Sequence, residues 1–179
     1  MEHIIEQDEL VPKLYRNTMT GEWDEVIKIY EKYTMAAILT KINRSGDTPL
    51  HVAVSIAPDD IVEKLVDVIN DFIVAGLQIM TNNEGNTPLH VAASTGRVRM
   101  CVLLALAGAD EDLGLVRNNR GESSLFLAAF HGRKTIFFCL QQICVLHRKI
   151  VKNNPAYRRN DGETILHCVI RWEYFGEHF

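Results

Sequence analysis

The amino-acid sequence predicts an all-α solenoid of stacked helix-turn-helix units joined by short turn fingers, and three observations carry that prediction. A glycine-led, small-residue motif recurs along the chain, an amphipathic helical segment follows each of its first four copies, and a 47% hydrophobic content over 179 residues suffices for a continuous core.

The motif reads "GDTPLHVAVSIA" at 46–57, "GNTPLHVAASTG" at 85–96, "GESSLFLAAFHG" at 121–132 and "GETILHCVIRWE" at 162–173, with a weaker copy, "PKLYRNTMTG", at 12–21. Aligned on the leucine, the copies fall at Leu14, Leu50, Leu89, Leu125 and Leu166, giving spacings of 36, 39, 36 and 41. The leading glycine supplies a positive φ or a close backbone approach in the turn before a helix. Thr48, Thr87 and Thr164, with Ser123 in the fourth copy, stand at N-cap positions, and Pro49 and Pro88 follow where a missing N–H costs nothing. Ala53, Ala92 and Ala128 lie three residues after the leucine on the same helix face, small enough to let a neighbouring helix approach. Gly21, Gly96 and Gly132, seven after the leucine, stop the first helix.

The second helix of each unit is read from "EWDEVIKIYEKY", "DDIVEKLVDVIND", "RVRMCVLLALAG" and "RKTIFFCLQQIC". Two short antiparallel helices cannot bury their apolar faces alone, so the units must stack. The expected organisation is one domain over 1–179, with units at approximately 11–42, 43–81, 82–117, 118–158 and an incomplete 159–179.

These motifs resemble those of ankyrin-repeat proteins over nearly the whole chain, with the twice-repeated "TPLHVA" as the specific core. The observed spacings exceed the roughly 33 residues of that repeat, so the extra residues belong in connections. More narrowly, "NNEGNTPLHVAASTGRVRMC", "RGESSLFLAAFHG" and "DGETILHCVIRWEYF" resemble the plant ankyrin-repeat proteins that carry a C-terminal PGG domain and several membrane spans. The resemblance implies a non-catalytic scaffold whose partners are other proteins, in defence, cell-death or stress signalling. No PGG segment or membrane helix precedes Phe179, so the expectation is either a truncated gene product or an ankyrin-only fragment, to which the family's membrane anchoring does not carry over.

Composition narrows the classes further. The N-terminus, "MEHIIEQDEL", is acidic, and the longest apolar runs, such as "CVLLALA" at 101–107, fall far short of the roughly 18 residues a span needs. The expected location is therefore intracellular and cytoplasmic, or the cytosolic face of a membrane if a longer protein carries the family's helices. Cys101, Cys139, Cys144 and Cys168 sit in apolar helical stretches, as reduced core cysteines do. The triplet Asn43-Arg44-Ser45 matches a glycosylation acceptor but has no secretory context. Net charge is −4, unevenly spread: residues 1–112 hold 9 Lys+Arg against 18 Asp+Glu, and residues 113–179 hold 10 against 5.

Candidate chemistry is weak. His51, His90 and His167 occupy identical repeat positions, which a catalytic residue does not need, and the resemblance implies that they bridge neighbouring turns through backbone hydrogen bonds. Cys139, Cys144 and His147 lie close enough to suggest zinc, but a five-residue step points the cysteines to different sides of a helix and no fourth ligand follows. No nucleophile elbow, phosphate loop or carboxylate pair is present. No catalytic residue, metal, cofactor or small-molecule substrate is expected. The basic stretch "HRKIVKNNPAYRR" at 147–159 offers the alternative reading, a binder of nucleic acid or an anionic membrane surface, although a pI near 6 argues for a solvated connection and against nucleic acid as the partner.

Recognition is expected where residues change around the constant glycine. These are Arg44, Ser45 and Asp47; Asn83, Glu84 and Asn86; Asn119, Arg120 and Glu122; and Asn160, Asp161 and Glu163. The ends of the first helices add Ser55, Ile56, Ser94, Thr95, Phe130, His131, Arg171 and Trp172, of which Phe130, Arg171 and Trp172 are interface-anchoring types. The acidic first unit fits a polar cap, whereas "WEYFGEHF" at the other end predicts an uncapped apolar edge prone to fraying or weak self-association.

Overall fold

The turns at Gly46 and Gly85 open into short helices because a threonine N-cap and a following proline meet the needs of a helix start, and after Gly121 the Ser123 cap serves without a proline. In the computed structural model, which describes residues 7–72, 76–108, 113–146 and 154–175, Thr48, Thr87 and Ser123 hold extended N-cap backbone ahead of α3 (Pro49–Ile56), α6 (Pro88–Thr95) and α8 (Ser124–Phe130). Two longer first helices flank them, α1 (Gln7–Thr20) and α10 (Ile165–Phe175). The second helices are α2 (Trp23–Ile38), α4 (Asp59–Phe72), α7 (Val98–Ala107) and α9 (Lys134–Leu146), and a single turn, α5 (Gly76–Ile79), follows α4. Turns of 3-10 helix cover Leu113–Leu115 and Pro155–Tyr157.

The first helices stack as α1, α3, α6, α8 and α10 in one layer, and the second helices as α2, α4, α7 and α9 in another. One continuous core runs between the layers from Leu10 to Leu140. Leu14, Leu50, Leu89 and Leu125 are fully buried in it, as are Ala53, Ala92 and Ala128, whose lack of bulk lets successive first helices touch. The described structure is thus an all-α solenoid, with β pairing limited to the isolated bridges Arg117–Ser123 and Arg158–Thr164 at the base of two fingers.

Helix ends follow local chemistry. Gly96 adopts φ +87° and caps α6, and α3, which lacks that glycine, ends where Pro58 forces Ala57 into extended backbone at ψ 157°. Two ends depart from the repeat pattern. Pro12 lies inside the first helix, which already covers Gln7, and Leu10 and Leu14, one turn apart, are both buried on its apolar face. At the other end, α10 passes Glu173, the position where Gly21, Gly96 and Gly132 stop their helices, and continues to Phe175. The second helix expected for this unit lies outside the described residues, as do residues 147–153 of the basic stretch, His147 among them, and 176–179. The side chain of Trp172 is also outside the described set.

Cys101, Cys144 and Cys168 are buried and unbridged. Burial pushes the Cys101 thiol up to about 12 and the Cys168 thiol up to about 11, so neither offers a thiolate near neutral pH. Among the described residues no group of His, Cys, Asp and Glu is placed to hold a metal ion, and no helix is long and apolar enough to cross a membrane.

Candidate interaction surface

The finger row is assembled from three sets of polar contacts, and each uses residues that the sequence placed among the recognition candidates. The first set closes each finger on itself. The Asn82 side-chain oxygen accepts from the backbone N–H groups of Glu84 and Asn86, both at 3.0 Å, and Asn118 does the same for Arg120 and Glu122 at 3.0 and 2.9 Å.

The second set staples each finger to the next. The Asn83 backbone N–H donates to the Ser45 carbonyl at 3.0 Å, and its side-chain Nδ2 donates to the Arg44 carbonyl at 3.0 Å. Asn119 repeats this pair on Glu84 and Asn83 at 2.9 and 3.0 Å, and Asn160 repeats it on Arg120 and Asn119, both at 3.0 Å. A side chain on the preceding glycine would collide with the staple: a Cβ on Gly85, at φ +77°, would stand 2.6 Å from Asn119 Oδ1. Asn83 and Asn119 are exposed, and their amides also hold neighbouring fingers together.

The third set runs beneath the tips. Asp47 accepts from Asn82 at 2.8 Å, Asn86 Oδ1 accepts from Asn118 at 2.8 Å, and Glu122 faces Arg159 Nε at 3.0 Å. Glu122 also accepts from Asn118 at 2.8 Å and is only 4% exposed, so it does not project as the sequence reading expected. A carboxylate there is tolerable because a guanidinium and an amide both meet it.

The repeated histidines add the link from helix start to neighbouring finger. Thr87 donates its backbone N–H to His90 Nδ1 at 3.1 Å, which leaves the ring proton on Nε2, directed at the Glu122 carbonyl at 3.0 Å. His51 makes the same pair of contacts with Thr48 and the Asn86 carbonyl at 3.2 and 2.9 Å. Burial lowers the His90 pKa to about 4 against the opposing pull of its backbone hydrogen bonds, and burial lowers that of His51 too, so both rings are neutral at pH 7. Where Phe126 replaces the histidine, the Ser123 hydroxyl takes over, accepting from Phe126 N at 3.0 Å and donating to the Ala156 carbonyl at 2.7 Å.

Subtracting these contacts leaves the surface open to a partner. The side chains of Arg44, Ser45 and Arg120 are exposed and carry no hydrogen bond or ion pair among the described residues, and Glu84 holds only one, from Asn86 at 3.1 Å. On the adjoining helix ends Ile56 is 64% exposed and Thr95 and His131 are exposed.

The later candidates gather into one cluster. His131 meets the Phe130 ring edge-on at 5.2 Å, and the guanidinium carbons of Arg159 and Arg171 lie 5.7 and 5.8 Å from the Phe130 ring centre. Both arginines also pair with Glu163, Arg159 at 3.0 Å and Arg171 closely. The charges of Arg159 and Arg171 are therefore met within the chain. In the sequence Arg159 was read only as part of the basic stretch at 147–159; it stands where Asn43, Asn82 and Asn118 stand in earlier units, and the exchange of amide for guanidinium was the signal of its role beside Glu122.

This geometry, helix pairs stacked in register with hydrogen-bonded fingers along one edge, defines a helical-repeat solenoid with no catalytic constellation among the described residues. A family model described as ankyrin repeats in three copies matches residues 26–114 and again 66–143, which together span more than half of the chain, and the protein belongs to the ankyrin-repeat family. Ankyrin repeats are in general protein–protein interaction modules. No curated protein matches the chain.

Proposed function

We propose that the chain binds a partner protein along the finger row and the neighbouring ends of α3, α6 and α8, in signalling of the defence or stress kind suggested by the plant proteins it resembles. One observation carries the reading. At the tip position before each glycine, Ser45, Glu84 and Arg120 lend their carbonyls to the staple while their side chains stay exposed. The row thus presents a fixed backbone with side chains of changing charge, the arrangement that gives specificity at modest cost in stability.

The test replaces the free tips together, with Arg44→Glu, Glu84→Lys and Arg120→Glu in one variant. Affinity capture from extract, read by mass spectrometry, should lose proteins that the native chain retains, at unchanged helicity and melting temperature. A folded variant that keeps every partner would reject the finger row as the binding surface.

A further inference from the structure

Three successive fingers carry free charge of alternating sign. The first, 41–48, bears Lys41 and Arg44; the second, 80–87, has Glu84 as its one charged residue; and the third, 116–123, bears Arg117 and Arg120. All five side chains are exposed, and none is ion-paired among the described residues. The other acids of these fingers do not balance them at the tips. Asp47 accepts from Asn43 at 2.9 Å and from Asn82 at 2.8 Å beneath the row, and Glu122 is buried against Arg159.

Three of these charges are held by neutral groups. Arg117 Nε donates to the Gly121 carbonyl at 2.8 Å, and one of its terminal nitrogens donates to the Arg158 carbonyl and to Asn160 Oδ1 at 3.1 and 2.9 Å. Such acceptors fix the guanidinium without cancelling its charge. Lys41 is likewise met by an amide oxygen, Asn83 Oδ1 at 3.3 Å, and Glu84 by the Asn86 amide at 3.1 Å. Because the staples fix the backbone of each finger to the next, positive, negative and positive charge recur at the interval between units, roughly 8–10 Å for packed helices. An extended chain advances that far in about three residues.

We infer that the partner engages these fingers through one extended protein segment that carries an acidic, a basic and an acidic residue at steps of about three. The inference rests on the finger row as the binding surface, proposed above, and names the chemistry that fits it. The order is the same read from either end, so the segment can lie in either direction. Its outer carboxylates face Arg44 with Lys41 and Arg120 with Arg117, where a guanidinium offers paired N–H donors to a carboxylate. Its central cation faces Glu84. That residue selects a protein segment over a uniform polyanion: a nucleic-acid strand or an anionic membrane drawn to the outer fingers would bring negative charge onto an exposed carboxylate whose one hydrogen-bond donor is an amide.

The test is an NMR titration of the full chain with end-capped peptides at millimolar concentration. Glu-Gly-Ser-Lys-Gly-Ser-Glu matches the fingers, Lys-Gly-Ser-Glu-Gly-Ser-Lys reverses them, Glu-Gly-Ser-Glu-Gly-Ser-Glu is uniformly acidic, and a single-stranded oligothymidylate is the nucleic-acid probe. The matched peptide should shift the amides of Arg44, Glu84 and Arg120 and bind about tenfold or more tighter than the reversed one. It should also bind tighter than the uniformly acidic peptide, and Glu84→Lys, at an exposed position where folding is retained, should invert that last preference. No binding of the matched peptide, equal binding of the acidic peptide or oligothymidylate, or a preference unmoved by Glu84→Lys would overturn the inference. The triple tip variant separates it from the reading beneath it. If that variant loses captured proteins while the peptides show no preference, the row binds a partner of other chemistry and the charge pattern falls alone; if it keeps every partner, both fall.

Discussion

Lowering the pH from 7 to 5 should destabilise the fold through His90. Its ring is fully buried and held neutral, with Nδ1 accepting from Thr87 N and Nε2 donating to the Glu122 carbonyl. Burial lowers its pKa from 6.5 to about 4, so between those values the unfolded chain binds a proton that the folded chain excludes. Stability is complete above about pH 6.5 and declines as the pH falls towards 4; the linkage relation puts the loss at about 2 kcal/mol by pH 5 and about 3 kcal/mol by pH 4. His51, also lowered by burial, acts in the same direction. Urea unfolding at pH 7 and pH 5 should be compared for the native protein and His90→Phe, the residue type found at the equivalent position 126. The variant leaves Thr87 N–H and the Glu122 carbonyl without their partner and should be less stable at pH 7 by about 1–3 kcal/mol. Between pH 7 and pH 5, however, it should lose about 2 kcal/mol less than the native chain. Equal pH dependence in the two proteins would refute the assignment of a neutral, proton-excluding ring.

Two further outcomes follow from the finger contacts. Gly85→Ala places a Cβ 2.6 Å from Asn119 Oδ1 and 2.9 Å from its backbone nitrogen, whereas Gly162→Ala meets nothing within 4 Å, although both glycines have positive φ. Thermal unfolding should therefore show a loss of about 2 kcal/mol or more for the first and about 1 kcal/mol for the second, and equal losses would rule out the steric staple. Arg159→Ala strips the guanidinium from buried Glu122 and should cost about 2–3 kcal/mol with faster amide exchange in α10, while Arg171→Ala, at a half-exposed ion pair, should cost under about 1 kcal/mol.

The repeat was legible in the sequence because its determinants are local. Thr48-Pro49 and Thr87-Pro88 specify helix starts, Gly96 a stop, and the leucine and alanine three apart specify a buried face, all within a dozen residues. The interaction surface was less legible because the contacts that link one finger to the next join residues 32 to 43 apart. Asn83, Asn119 and Asn160 shared a register position and so carried a signal of structural duty, but taken with their changing neighbours they read as variable. Glu122 resembled an exposed tip residue until Arg159 came into view above it. Pro12 sits within α1, and the joint burial of Leu10 and Leu14 on either side of it is a packing signal that the local motif at 12–21 does not carry.

The staple has a consequence for how such a surface changes over generations. It engages the main-chain oxygens of Ser45, Glu84 and Arg120 and ignores what those residues carry beyond Cα. Serine, glutamate and arginine already occupy this one position without altering the hydrogen bonds that hold it. The tips can therefore mutate between charges, sizes and polarities with the frame unmoved, so a new specificity can arise by single substitutions that natural selection sees only through binding.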